Sequence, residues 1–185
     1  MKHKIWIIVL PAVVMLVILI GICNYRLVQE SSKIPDIVFV EITNFTELGD
    51  GRTYEMTFCD KNGKHYVSKD PFRLGFDFEV LIEDYRNGKL DGQITYDMTC
   101  DLDELVENYK KLCKVSRNRN LKINYPESAP AVQSIKTTWY GLYYDAFGNV
   151  QYVEIHKYDR AGSLYTNDEN ANEIYDWYIG AFHEK

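Results

Sequence analysis

The chain has 185 residues, 46% of them hydrophobic, and a formal net charge of −6 at neutral pH. From Ile34 onward there are seventeen Lys+Arg against twenty-six Asp+Glu, a balance that opposes general affinity for nucleic acid or an anionic membrane surface. The four cysteines have no C-x-x-C spacing, so no metal site is expected, and no cofactor either.

Residues Ile5 to Cys23, IWIIVLPAVVMLVILIGIC, run for nineteen positions without a charge. As a helix they span about 28 Å, close to the thickness of a hydrocarbon core. Lys2 and Lys4 precede the run, and only Arg26 and Lys33 follow nearby. The positive-inside rule then makes 1–4 a cytoplasmic tail, 5–23 a transmembrane signal anchor, 24–35 a stalk and 36–185 an exported domain. Leu19-Ile20-Gly21-Ile22-Cys23 lacks the A-x-A pattern of a cleaved signal peptide. For lipidation of Cys23, Gly21 stands one place too early, with bulky Ile22 where the small residue belongs.

Strands are expected over 36–45 and 52–60, both rich in β-branched and aromatic residues. Asp60-Lys61-Asn62-Gly63 suits a type I turn with a glycine bulge, which sets Phe58 opposite Tyr66 and Cys59 opposite His65. A short helix over 76–88 closes at Gly88. The segment 93–100 alternates Ile94, Tyr96, Met98 and Cys100 on one face, the period of a half-buried strand. Asp101 then caps a helix with Glu104 three residues on, and Leu102, Leu105, Val106, Tyr109, Leu112 and Cys113 form its apolar stripe. The pattern dissolves over 116–133, an irregular connection. Strands at 136–145, 150–158 and 163–166 follow, and a helix from about Glu169 to Phe182 is capped by Asn167 or Asp168. The fold class is α+β, a mainly antiparallel sheet with about three helices.

Asp-x-x-Gly recurs at Asp145 and Asp159. YDAFG and YDRAG resemble the Tyr-Asp repeats of bacterial Rhs-type shell proteins, which need long arrays; turn chemistry accounts for two units. With bulged turns at both places, Tyr144 faces Val150, Leu142 faces Tyr152, Tyr140 faces Glu154, Thr138 faces His156, and Tyr158 faces Leu164. One sheet face then carries Tyr140, Tyr144, Tyr152, Glu154, His156 and Tyr158. Aromatic surface with an acid and a histidine suits a sugar or a peptide, and a core covered by helices is the alternative.

A second candidate surface is cationic. Lys110, Lys111, Lys114, Arg117, Arg119 and Lys122 gather at the end of the helix and just beyond it. They are placed to hold an anionic polymer or an acidic protein face. Asp168 to Asn172 lacks the glycine of a calcium loop. There is no H-E-x-x-H, G-x-S-x-G or phosphate-binding glycine loop. Cys59 and His65 could form a thiolate–histidine pair, against the usual role of a buried cysteine as a small hydrophobe. In a helix Cys100 and Cys113 stand about 20 Å apart, too far for a disulfide, whereas Cys59 could pair with either.

The expectation is a single-pass bacterial membrane protein with an extracytoplasmic binding or interaction domain of the cell envelope. Its partners are the membrane through 5–23 and an envelope polymer or protein, not nucleic acid. Alternatives are an exported hydrolase whose site assembles only in three dimensions, and a membrane-tethered accessory or immunity-type protein docking on another protein.

Overall fold

The computed structural model describes residues 15, 33–46, 52–68, 77–124, 135–159 and 162–183. All of segment 5–23 except Met15, and most of the stalk, lie outside them. Among the described residues no helix is long and apolar enough to cross a membrane.

Seven strands form one sheet: β1 (Ile37–Thr46), β2 (Arg52–Asp60), β3 (Lys64–Ser68), β4 (Ile94–Thr99), β5 (Ile135–Tyr144), β6 (Val150–Asp159) and β7 (Gly162–Leu164). Their order is β4-β3-β2-β1-β5-β6-β7, and every pairing is antiparallel. Helix α1 (Phe78–Arg86) covers one face, and α2 (Leu102–Val115) and α3 (Glu169–Phe182) cover the other. The expected class for the domain, α+β with about three helices, is the class observed among the described residues.

Two tight turns follow the expected chemistry. Oδ1 of Asp60 accepts hydrogen bonds from the amides of Asn62 and Lys64, at 2.9 and 2.8 Å, and Gly63 closes the turn at φ +76°. Asp145 does the same for Phe147 and Asn149, with Gly148 at φ +84°. Glycine adopts that left-handed backbone without strain. Phe58 pairs with Tyr66 and Cys59 with His65, as the turn requires. The hairpin at Asp159 closes differently: Asp159 pairs with Gly162, so Tyr158 meets Ser163, not Leu164.

Caps fix the helix starts. Asp77, Asp101 and Asp168 each accept from first-turn amides, an arrangement worth about 1 kcal/mol per cap. Glu104 does not complete a capping box; its Oε2 accepts from the indole Nε1 of Trp177 at 3.0 Å. On α2, Leu105, Tyr109, Leu112 and Val115 are buried, but Leu102 is exposed. From α3, Ala171, Ile174, Tyr178 and Phe182 join them over Phe39, Cys59, Trp139 and Ile155. On the other side Phe78, Leu81 and Ile82 pack on Val40, Met56, Phe58 and Leu142. Each large side chain buried this way stabilises the fold by about 1.5–3 kcal/mol.

Three register shifts break the strict alternation; at the first, Ile37 pairs with Asp60 and Phe39 with Cys59, leaving Val38 extra in β1. His65 pairs with Met98 and Tyr66 with Tyr96, leaving Asp97 as the extra residue of β4. Trp139 pairs with His156 and Tyr140 with Glu154, leaving Ile155 extra in β6. An extra residue reverses which face the rest of the strand presents. The stripe expected on β4 is therefore split: Ile94 packs on the α1 side, Met98 and Cys100 on the α2–α3 side.

Candidate functional site

The six residues expected on one face of β5–β6 do not share it. Tyr140, Tyr144, Tyr152 and Glu154 lie on the α1 side. There Phe78 meets the rings of Tyr140 and Tyr152 at 5.2 and 4.9 Å, and Tyr152 keeps 56% of its surface exposed. The bulge at Ile155 turns His156 to the opposite face, where it is fully buried. It stacks on Tyr175 at 3.5 Å, beside Trp139 and Tyr165. Among the described residues neither of its ring nitrogens has a hydrogen-bond partner, and burial pushes the imidazole down to about 4. Tyr158 pairs with Thr137, a residue of that second face, and remains partly exposed.

The cationic segment is more ordered than its sequence indicates. Lys111 is tied to Glu173 of α3 at 2.7 Å, whereas Lys110, Lys114, Arg117, Arg119 and Lys122 are exposed. Beyond α2 the chain is pinned to the start of α3. Asn118 Nδ2 donates to Asp168 Oδ2 at 2.7 Å, the Lys122 amide donates to Asn167 Oδ1 at 2.8 Å, and Ile123 bridges to Thr166. Residues 125–133 of the expected irregular connection lie outside the described residues.

Behind α3 runs a chain of polar contacts. His65 Nδ1 is 3.1 Å from Asp97 Oδ2 and its Nε2 is 3.2 Å from the Tyr178 hydroxyl. Thr57 Oγ1 lies 3.1 Å from that hydroxyl and 3.4 Å from Glu41 Oε2, which His183 Nε2 approaches at 2.9 Å. Burial holds His65 below its ordinary value although Asp97 opposes this. The hydrogen bond to Glu41 holds His183 above it. Cys59 faces His65 across the hairpin, yet both nitrogens of His65 are engaged elsewhere, and Phe182 stacks on its ring at 4.4 Å. The thiolate–histidine pair is therefore not formed. With Tyr178 wholly buried, this chain holds α3 to the sheet and offers little access to a substrate.

The concave surface lies on the α1 side. A cleft of about 580 Å³ opens between the C-terminal half of α1 and β3–β4, lined by Asp36, Tyr66, Tyr85, Arg86, Asp91, Gly92 and Ile94. Its aromatic wall begins at Phe58, on which Tyr66 stacks at 5.2 Å. Tyr85 and Tyr96 then stand edge-on to Tyr66. The Tyr85 hydroxyl donates to the buried carboxylate of Asp60 at 2.8 Å; burial, and then its hydrogen bonds to Tyr66 and Asp60, push that hydroxyl well up. Arg86 Nε donates to Asp36 Oδ2 at 2.8 Å, and Lys61 meets the same carboxylate at 2.9 Å. Partial burial works to raise the Asp36 carboxyl, but its hydrogen bonds to Lys61 and Arg86 outweigh that and hold it low. Arg86 also borders a second hollow of about 490 Å³ on the other flank of α1, with Glu79, Glu83, Tyr144, Asn149 and Val150.

A cleft of this size falls within the 300–1,000 Å³ of small-molecule sites. Among the described residues its lining contains no serine, cysteine or histidine. It can stack a flat or ring-shaped group and satisfy hydroxyls from both charge types, a chemistry of holding. Sequence reading missed it because its residues range from 36 to 94 and meet only through the sheet order. The one local signal was a tyrosine–arginine pair, Tyr85-Arg86, ending a short helix. Among the described residues no group of His, Cys, Asp and Glu is arranged to hold a metal ion. No family model matches the sequence, and no curated protein or solved structure matches it.

Proposed function

We propose that the chain is a membrane-anchored binding module of the bacterial cell envelope, held by residues 5–23 with its N-terminus inside and its domain outside. The cleft beside α1 holds a segment of envelope glycan. A sugar ring stacks on Tyr66 and Tyr85, Asp91 accepts from its hydroxyls, and Arg86 with Asp36 orients it. The observation that carries this reading is the cleft itself: tyrosine walls and a charged rim, with no serine, cysteine or histidine among the described residues that line it. The uncharged run of 5–23 carries the anchoring.

Two measurements test it. The full chain in detergent is sedimented with purified peptidoglycan sacculi, as wild type, Arg86→Ala, and Arg119→Gln with Lys122→Gln. Loss of retention confined to Arg86→Ala supports the cleft. Loss confined to the double variant moves the site to the cationic surface, and equal retention of all three removes the cleft from the account. Placement is read separately with an impermeant thiol reagent on intact cells, where Asn120→Cys is expected to label and Lys2→Cys to stay silent. The reverse pattern overturns the exterior domain.

A further inference from the structure

The two hollows on the α1 side meet at a single side chain. Arg86 ends α1 and lines both of them. The spacing of Glu79, Ile82, Glu83 and Arg86 sets them along one flank of the helix, and the second hollow separates that flank from Tyr144, Asn149 and Val150. Tyr85 instead lines the first hollow, with Tyr66 and Ile94. Arg86 is fastened to Asp36, which stands at the entry to β1. That strand is the middle one of the sheet. The ion pair therefore stands midway, where an occupant of one hollow would pass into the other.

We propose that the two hollows are subsites of one groove, and that its occupant is an uncharged linear glycan. This rests on the cleft reading above and adds to it the length and the charge of the ligand. Length argues for a chain. β3, which carries Tyr66, and β5, which carries Tyr144, are three strand steps apart, about 14 Å across the sheet. No single sugar ring spans that distance, whereas consecutive rings of one polymer do.

The chemistry of the two ends is alike. Each hollow has a tyrosine for a ring to lie on and groups that hydrogen-bond hydroxyls, Asp91 in the first and Glu83 and Asn149 in the second. Charge then excludes a polyanion. Asp36, Asp91, Glu79 and Glu83 line the groove, and among its described lining residues Arg86 is the one cation. That cation is already paired with Asp36. A chain of carboxylates or phosphates would meet like charge at both ends, but hydroxyls and amides would not. Occupying the second subsite from a ring tethered in the first is an intramolecular step, so affinity grows with chain length.

The test titrates N-acetylglucosamine disaccharide and hexasaccharide into the full chain in detergent, with binding read by calorimetry. The hexasaccharide is expected to bind on the order of tenfold or more tighter than the disaccharide. Glu83→Ala, at an exposed helix position, and Tyr144→Ala should each erase that gain, so that the two sugars bind alike. Should Tyr144→Ala fail to fold, Glu83→Ala decides alone. A hyaluronan hexasaccharide, which carries carboxylates, should not displace the neutral one. Equal affinity of wild type for both lengths, a gain that survives the substitutions, or displacement by hyaluronan overturns the groove. Sedimentation with sacculi separates the two readings. Retention that needs Arg86 but brings no gain with length upholds the cleft and overturns the groove. A chain that neither sediments with sacculi nor binds either sugar overturns both.

Discussion

The two faces of the sheet are built from the same strands and the same aromatic-rich composition, yet they are finished differently. The α2–α3 face lies under two helices of fourteen residues each. Its polar groups, from His65 to His183, mostly find one another. Among the described residues the α1 face has one helix of nine residues over its middle, and hollows open on both flanks. A nine-residue helix is about 14 Å long, too short to roof a seven-stranded sheet whose strands stand about 4.8 Å apart. Coverage, not composition, separates core from surface in this molecule.

The strongest way to break this comparison is to truncate one tyrosine on each face. Tyr178 is completely buried among Phe39, Trp177 and Phe182, so Tyr178→Ala should cost about 3–5 kcal/mol in urea unfolding. Tyr152→Ala, from a half-exposed position, should cost only about 1 kcal/mol. Equal losses would mean that the α1 face is as closed as the other.

Acid sharpens the contrast next. The buried imidazole of His156, held near 4, stays neutral in the fold at a pH where the unfolded chain, with an ordinary value near 6.5, takes up a proton. Its contribution is therefore intact above about pH 6.5 and is lost as pH falls towards 4, with a slope of up to about 1.4 kcal/mol per pH unit. His156→Phe should flatten that part of the stability profile. An unchanged slope would show that other groups govern the acid limb.

A third handle is Gly141. A Cβ there would stand 2.2 Å from Cδ1 of the buried Leu112, so Gly141→Ala should destabilise by about 1–3 kcal/mol through overpacking beneath α2. Calorimetry showing no drop in the midpoint would mean that α2 sits less tightly than described. The smallest effect belongs to the cleft. Arg86 is mostly exposed and paired with Asp36, so Arg86→Ala should change stability by at most about 1 kcal/mol while abolishing retention on sacculi.

Local chemistry was legible in the sequence, and long-range phase was not. Asp60, Asp101, Asp145 and Asp168 announced turns and caps because each acts on amides within four residues of itself. The faces of β4 and β6 were misread for one reason. A single extra residue, Asp97 or Ile155, leaves composition unaltered and reverses everything beyond it. In β6 that reversal moved His156 from a supposed binding face into the interior, and at β4 it brought Asp97 to His65. The cleft was hidden for a different reason: Asp36, Tyr66 and Arg86 have no common spacing, and only the pairing order unites them.

The sheet order also has a mechanical consequence. The first strand of the domain is its central one, with nine registered pairs to β2 on one side and seven to β5 on the other. A pull applied to the chain at residue 33 loads this strand lengthwise. Its ladder bonds lie across the direction of the pull, so they must slip together instead of opening one by one. The Tyr109 hydroxyl, donating to the Lys33 carbonyl at 2.9 Å, is the first fastening such a load would meet. A domain pulled through its middle strand resists tension far better than one pulled through an edge strand.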